Sequence, residues 1–162
     1  MSDTARFITT YEREHATTLR VLQAFPQEQS EFKPSEKSSS ARKLAWVFVM
    51  EERMMLLALK GESILGSGFP APPDSWDDIL RRFEEQHVEM KERLAALGGN
   101  DPAGNVTFYV APKTTGEYAT LDFLWFLLCD QIHHRGQMSV YLRMVGAKVP
   151  SIYGPTADEP WN

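Results

Sequence analysis

With 162 residues, 43% of them hydrophobic, the chain carries enough apolar side chain for one well-filled core and is expected to form a single domain over 1–162. Its net charge of −5 comes from interleaved acidic and basic residues, which gives a phosphate backbone no positive face and excludes nucleic acid as an expected partner. The lone cysteine, Cys129, excludes an internal disulfide and fits a reducing, cytoplasmic setting.

Phe7, Tyr11, Thr18, Leu22 and Phe25 recur at helical spacing and predict a first amphipathic helix from Asp3 to Ala24, ended by Pro26. The alternation of charged and apolar residues from Met1 to Phe25 is unlike a signal peptide. His15 lies near the apolar stripe, where composition favours a packed, hydrogen-bonded histidine over a ligand. Gln27 to Ser39 reads as a polar connector, anchored by Phe32 and kept from helix by Pro34. Serines 38–40 offer an N-cap for a second helix that ends at Gly61. Its inner face holds Leu44, Val47, Phe48, Glu51, Met54, Met55 and Ala58. Glu51 is thus a carboxylate on an inward stripe, whereas Glu52 is expected to be solvated.

Ile64 to Pro73 is too long for a tight turn between helices and is a candidate lid. Asp74 or Ser75 caps a third helix, with Asp77 and Asp78 in its first turn and Gly98-Gly99 as its stop. Leu80, Phe83, His87, Met90, Leu94 and Leu97 make its buried face. His87 is expected to be a satisfied core histidine, with a role as replacement ligand left open. Val106 to Val110 is β-branched and aromatic between turn signals, and with no second convincing strand it reads as an extended crossover. A fourth helix follows from Tyr118 to Val145; its most apolar run, Leu121 to Cys129, is far short of the ~20 residues that cross a bilayer, so no membrane is expected. Val149, Ile152, Tyr153 and Trp161 predict that the tail from Lys148 folds back. The expected fold is an all-α four-helix bundle with a short extended crossover and a packed C-terminal tail.

The fourth helix carries the chemistry. Leu127, Asp130, His134, Gln137 and Tyr141 share one stripe, so a carboxylate and an imidazole one turn apart can reach a single point. Burying both unpaired costs several kcal/mol, on the order of a charged group's desolvation, and either a hydrogen-bonded core pair or a divalent metal would offset it. Imidazole with carboxylate suits zinc, nickel, iron or manganese, and three protein ligands would leave positions open for water or substrate. Gln137 and Tyr141, on the same stripe, are candidates to bind a cofactor or ligand. His133, about 100° round the helix, is expected at a helix contact or supporting a ligand, Arg135 in a surface or dimer-contact ion pair, and Cys129 as an inert buried thiol. Glycine inside a helix costs roughly 1 kcal/mol against alanine, so Gly136 suggests close approach of a backbone or ligand. No nucleophile elbow, Walker loop or dinucleotide glycine pattern occurs.

His133-His134-Arg135-Gly136-Gln137, then Tyr141-Leu142-Arg143, Gly146, Pro150 and Tyr153-Gly154-Pro155, resembles the DinB/YfiT family of small helical bundles over nearly the whole chain. The resemblance implies a divalent metal held by one side chain of the second helix and two of the last. It also implies a small-molecule substrate and, in some relatives, a transferase or isomerase reaction dependent on a small thiol. A homodimer is implied as well, and Phe123, Trp125 and Phe126 are more aromatic surface than one side of a helix readily buries. The chain departs from the family where the second helix usually offers a histidine: it has Val47, which cannot bind a metal. Either Glu51 completes the site one turn later, or another residue does, or the triad is lost; Glu51 ranks first, His87 second and no third protein ligand close behind. The expected function is a metal-dependent enzyme, thiol transferase or hydrolase-like, and the alternative is a non-catalytic stress-associated binding protein with an incomplete site.

Overall fold

Three of the four helices begin where a serine side chain accepts a backbone N–H, Ser2 from Ala5, Ser40 from Lys43 and Ser75 from Asp78. In the computed structural model, which describes residues 2–162, these caps open α1 (Asp3–Gln23), α2 (Ala41–Lys60) and α3 (Trp76–Ala96). Gly61, left-handed at φ 68°, stops α2. The last helix, α4 (Thr120–Met144), packs against α1 and α2, and α3 packs against the same two, so α3 and α4 lie diagonally across the bundle. Among the described residues no helix is long and apolar enough to cross a membrane.

The chain is mostly helical but not all-α. Val106 to Val110 belongs to β1 (Asn105–Ala111), which pairs antiparallel with β2 (Thr114–Ala119) in a two-stranded hairpin. The partner strand hides in the sequence because it is largely exposed and contains Gly116, where an added Cβ would stand 2.8 Å from Val110 Cγ1. The hairpin lies on the start of α4, with Phe108 edge-on to Phe123 at 5.2 Å and Tyr118 stacked on Phe126 at 5.7 Å. It therefore covers part of the aromatic surface at the start of α4, while Phe126 stays 39% exposed.

The loop from Ile64 to Pro73 is fastened along α2. Trp46 Nε1 donates to Pro70 O at 2.7 Å, Arg53 to the carbonyls of Ser67 and Gly68, and Arg42 to those of Pro72 and Pro73. None of its residues lines the cleft beside His134, so it is no lid for that stripe; the cleft is walled instead by the connector around Pro34, Ser38 and Ser39. The tail does fold back: Val149 is buried, Asp158 accepts from Val149 N and Arg143, and Arg20 pairs with Glu159 at 2.7 Å. Trp161 is the exception, 67% exposed and held by a bond to Ser151.

Arg135 corrects the sequence reading most sharply. It is 1% exposed, reaching Glu14 Oε2 at 2.6 Å, Glu14 O at 3.1 Å, Thr18 Oγ1 at 3.2 Å and Tyr153 Oη at 2.7 Å. Tyr153 in turn donates to Glu14 Oε2 at 2.7 Å, which ties α1, α4 and the tail together. Burial by itself raises the Glu14 carboxyl, but the donors Tyr153, Arg135 and Arg13 outweigh it and hold the group below its ordinary value.

Removing one partner strands the other charge, so Arg135→Met should cost about 3–5 kcal/mol in urea unfolding, and adding Glu14→Gln should restore part of the loss. Because the folded Glu14 titrates low, its contribution is complete above the unfolded value near ~4.3 and disappears as pH falls through the lower folded value. Acid titration of the double variant should show a shallower decline than wild type over that interval.

Candidate metal site

The adjacency of α2 and α4 turns Glu51 toward the Asp130–His134 turn. His134 Nδ1 lies 3.0 Å from Glu51 Oε1 and 3.9 Å from Asp130 Oδ1, and one ligand atom from each of the three falls within 4.8 Å of the others. Two ligands about 2.1 Å from one divalent ion are separated by roughly 3.0–3.5 Å, so the cluster needs only small adjustments to share one.

The electrostatics of Glu51 supply the test of that fit. The residue is 1% exposed, and its Oε2 is buried without a hydrogen-bond partner. Burial foremost, then the charge of Asp130 beside it and that of Glu52, push the Glu51 carboxyl well above its ordinary range. A divalent cation would supply the missing partner and neutralise the crowded carboxylates together. Both other members are more open, His134 with a 20% and Asp130 with a 40% exposed side chain, so the cluster is sealed on the Glu51 side and accessible on the other.

Val47 sits one turn before Glu51 and lines a cleft together with His134, Gln137 and Tyr141. Tyr141 donates to Ser39 O at 3.0 Å, while Gln137 is exposed and its amide lies 2.8 Å from His133 Nε2. His87 is elsewhere, as the diagonal placement of α3 requires. Its Nδ1 is 3.0 Å from Tyr11 Oη, its Nε2 3.4 Å from Glu12, and its ring stacks on His15 at 3.5 Å. It belongs to a second polar network centred on Glu52, which is fully buried rather than solvated and accepts from Tyr11 at 2.7 Å and Gln131 at 3.2 Å.

On the same helix Cys129 is exposed rather than buried, and an added Cβ on Gly136 would meet nothing within 4 Å, so no other backbone approaches it. His133 is exposed and makes no buried helix contact, its Nε2 lying against the Gln137 amide. The buried roles of Glu52, Gln131 and Arg135 did have a signal: Phe48, Glu52 and Met55 on α2, and Leu128, Gln131, Arg135, Met138 and Leu142 on α4, are spaced as core stripes.

Residues 1–161 match the model of the DinB family. The chain belongs to that family. Among solved structures, a DinB-like protein from Bacillus cereus ATCC 10987 is similar in fold, with a TM-score of 0.73, 20% identity and coverage of 91% of this chain and 95% of that one. The DinB-like protein YjoA of Bacillus subtilis gives 0.70, 16%, 91% and 97% in the same terms. YrdA, an uncharacterized protein of Bacillus subtilis (strain 168), is 56% identical over 70 residues, which are 43% of this chain and 32% of YrdA. The DinB chain thus aligns with about a third of that relative.

If this DinB site holds a metal, His134→Ala and Glu51→Gln should each lower zinc affinity by more than the roughly 10–100-fold that loss of a supporting hydrogen bond costs, while His87→Ala leaves it unchanged. Glu51→Gln should also raise the melting temperature of the metal-free chain and abolish any further rise on adding zinc. Equal zinc content in wild type and His134→Ala, measured on purified protein, would contradict the site.

Proposed function

We propose that the protein is a metal-dependent enzyme that holds a divalent ion with Glu51, Asp130 and His134 and transfers a group to or from a small thiol. The observation that carries the metal is the buried Glu51 carboxylate, with one oxygen 3.0 Å from His134 Nδ1 and the other unpartnered, clustered with Asp130 and with a His134 that lines an open cleft. Membership of the DinB family supports the thiol. When bound, such an ion lowers the pKa of a thiol or water that it meets, supplying a nucleophile near neutral pH.

The chain's own residues do the rest. Glu51 and Asp130 bring two carboxylates, and His134 is fixed against Phe48, whose ring stands edge-on at 6.3 Å. Tyr141 spends its proton on Ser39 O, which leaves its oxygen as an acceptor toward the cleft. Gln137 engages His133 through its amide nitrogen, which leaves its Oε1 to accept from a ligand at the mouth. A soluble homodimer in the cytoplasm remains part of this proposal, with sedimentation at twice the chain mass as its check.

The reaction can be followed with cysteine as thiol and 1-chloro-2,4-dinitrobenzene as acceptor, where the thiolate forms the new C–S bond and chloride leaves. Zinc should accelerate it over the zinc-free protein, and Asp130→Asn should slow it at least about tenfold, ~1.4 kcal/mol of barrier. Val47→His should change zinc affinity little, since Glu51 already provides the α2 ligand; a marked gain would favour an incomplete, non-catalytic site. Identical rates with and without zinc would count against the enzyme.

A further inference from the structure

We infer that the cleft beside His134 takes an uncharged small molecule by its apolar body, with Val47 and Val140 as the side chains that select it. The inference rests on the metal reading, because the molecule's polar end is placed at the Glu51–Asp130–His134 cluster. The cleft encloses about 510 Å³, within the roughly 300–1,000 Å³ usual for small-molecule sites. It runs between α2 and α4 and is closed on one side by the connector that Tyr141 holds through Ser39 O.

Its walls divide the ligand's chemistry. Leu44 and Val47 from α2 and Val140 from α4 present aliphatic surface, and Val140, 55% exposed, stands at the rim. Polar contacts come from the Ser38 hydroxyl, the Gln137 amide and the Tyr141 oxygen, with the His134 imidazole at the inner end. Among the described residues no Lys, Arg, Asp or Glu lines the cleft. A charged body would leave water without a counter-charge, and an anion would also face the field of Glu51 and Asp130 just beyond His134. With a divalent cation, the two carboxylates balance its charge, so the inner end is close to neutral as well. Val47 lies one turn from Glu51 on the same helix, which puts the apolar wall and the ligand carboxylate side by side.

The test uses zinc-loaded protein and three probes that share a metal-binding hydroxamate: acetohydroxamic acid, octanohydroxamic acid and suberic acid monohydroxamate. Calorimetric titration should find the octyl compound at least tenfold tighter than the acetyl one, because each fully buried methylene is worth about fourfold. The carboxylate-ended chain should lose most of that gain. Val47→Thr, nearly isosteric, and Val140→Asp, at an exposed rim, should each cut the octyl gain several-fold and leave acetohydroxamate binding unchanged. Equal affinities for the octyl and acetyl compounds, a carboxylate-ended chain as tight as the octyl, or wall variants that weaken both alike would overturn the cleft assignment while leaving the metal site intact. Failure to take up zinc at all would remove the metal reading and this inference with it.

Discussion

A band of buried charge crosses the middle of the bundle, and the rest of the structure is arranged to tolerate it. One apolar cluster gathers Val21, Phe48, Phe83, Met138 and Leu142; another gathers Phe7, Met55, Met90, Phe123 and Leu127. Between them α1 supplies Glu14 and His15, α2 supplies Glu51 and Glu52, and α4 supplies Gln131, His134 and Arg135. Three carboxylates this deep are stable only where donors reach them. Glu14 takes Arg135 on one oxygen and Arg13 on the other, and Glu52 takes Tyr11 and Gln131. Glu51 has His134 Nδ1 3.0 Å from one oxygen and nothing on its second. His15 Nδ1 and Gln131 Oε1 in the band also lack partners, but among the three carboxylates the incomplete one is Glu51, whose neighbour His134 lines a cleft.

Four helices are legible in the sequence because each has an apolar stripe, and the serine caps of α2 and α3 are legible with them, whereas the Ser2 cap of α1 is not. The Asp130–His134 pair and its inward partner Glu51 are legible for the same reason: a polar residue on a buried stripe stands out against its neighbours. Leu127, Asp130, His134, Gln137 and Tyr141 do form the line that runs from the core past the cluster into the cleft.

Arg135 and Glu52 were misread because a charged residue next to a recognised stripe is assigned to the outside by default. The outside of α4 over this stretch is only a narrow strip that holds Cys129, His133, Gly136, Gln137 and Val140. The helix touches α1 and α2 and carries the tail and hairpin, so two of its stripes are buried, and its polarity is nearly uniform around the axis. The hairpin escaped for a different reason, since β2 has a glycine and few apolar residues and is made a strand by its pairing with β1. His87 needed the order of helices around the core, which no single stripe contains.

Adjacent glutamates on α2 show how one helix separates the two roles. Successive residues point about 100° apart, so Glu52 turns to the bundle axis, where Tyr11 from α1 and Gln131 from α4 meet it, while Glu51 turns to the seam with α4. The Glu52 charge, held in place by that network, adds to the burial and the Asp130 charge that make an unpaired Glu51 unfavourable. The framework thus adds negative charge beside Glu51 without offering a donor to its second oxygen. Exposure rises from Glu51 through His134 to Asp130, so the cluster opens toward solvent at its Asp130 end, while His134 also joins Val47 and Val140 in lining the cleft.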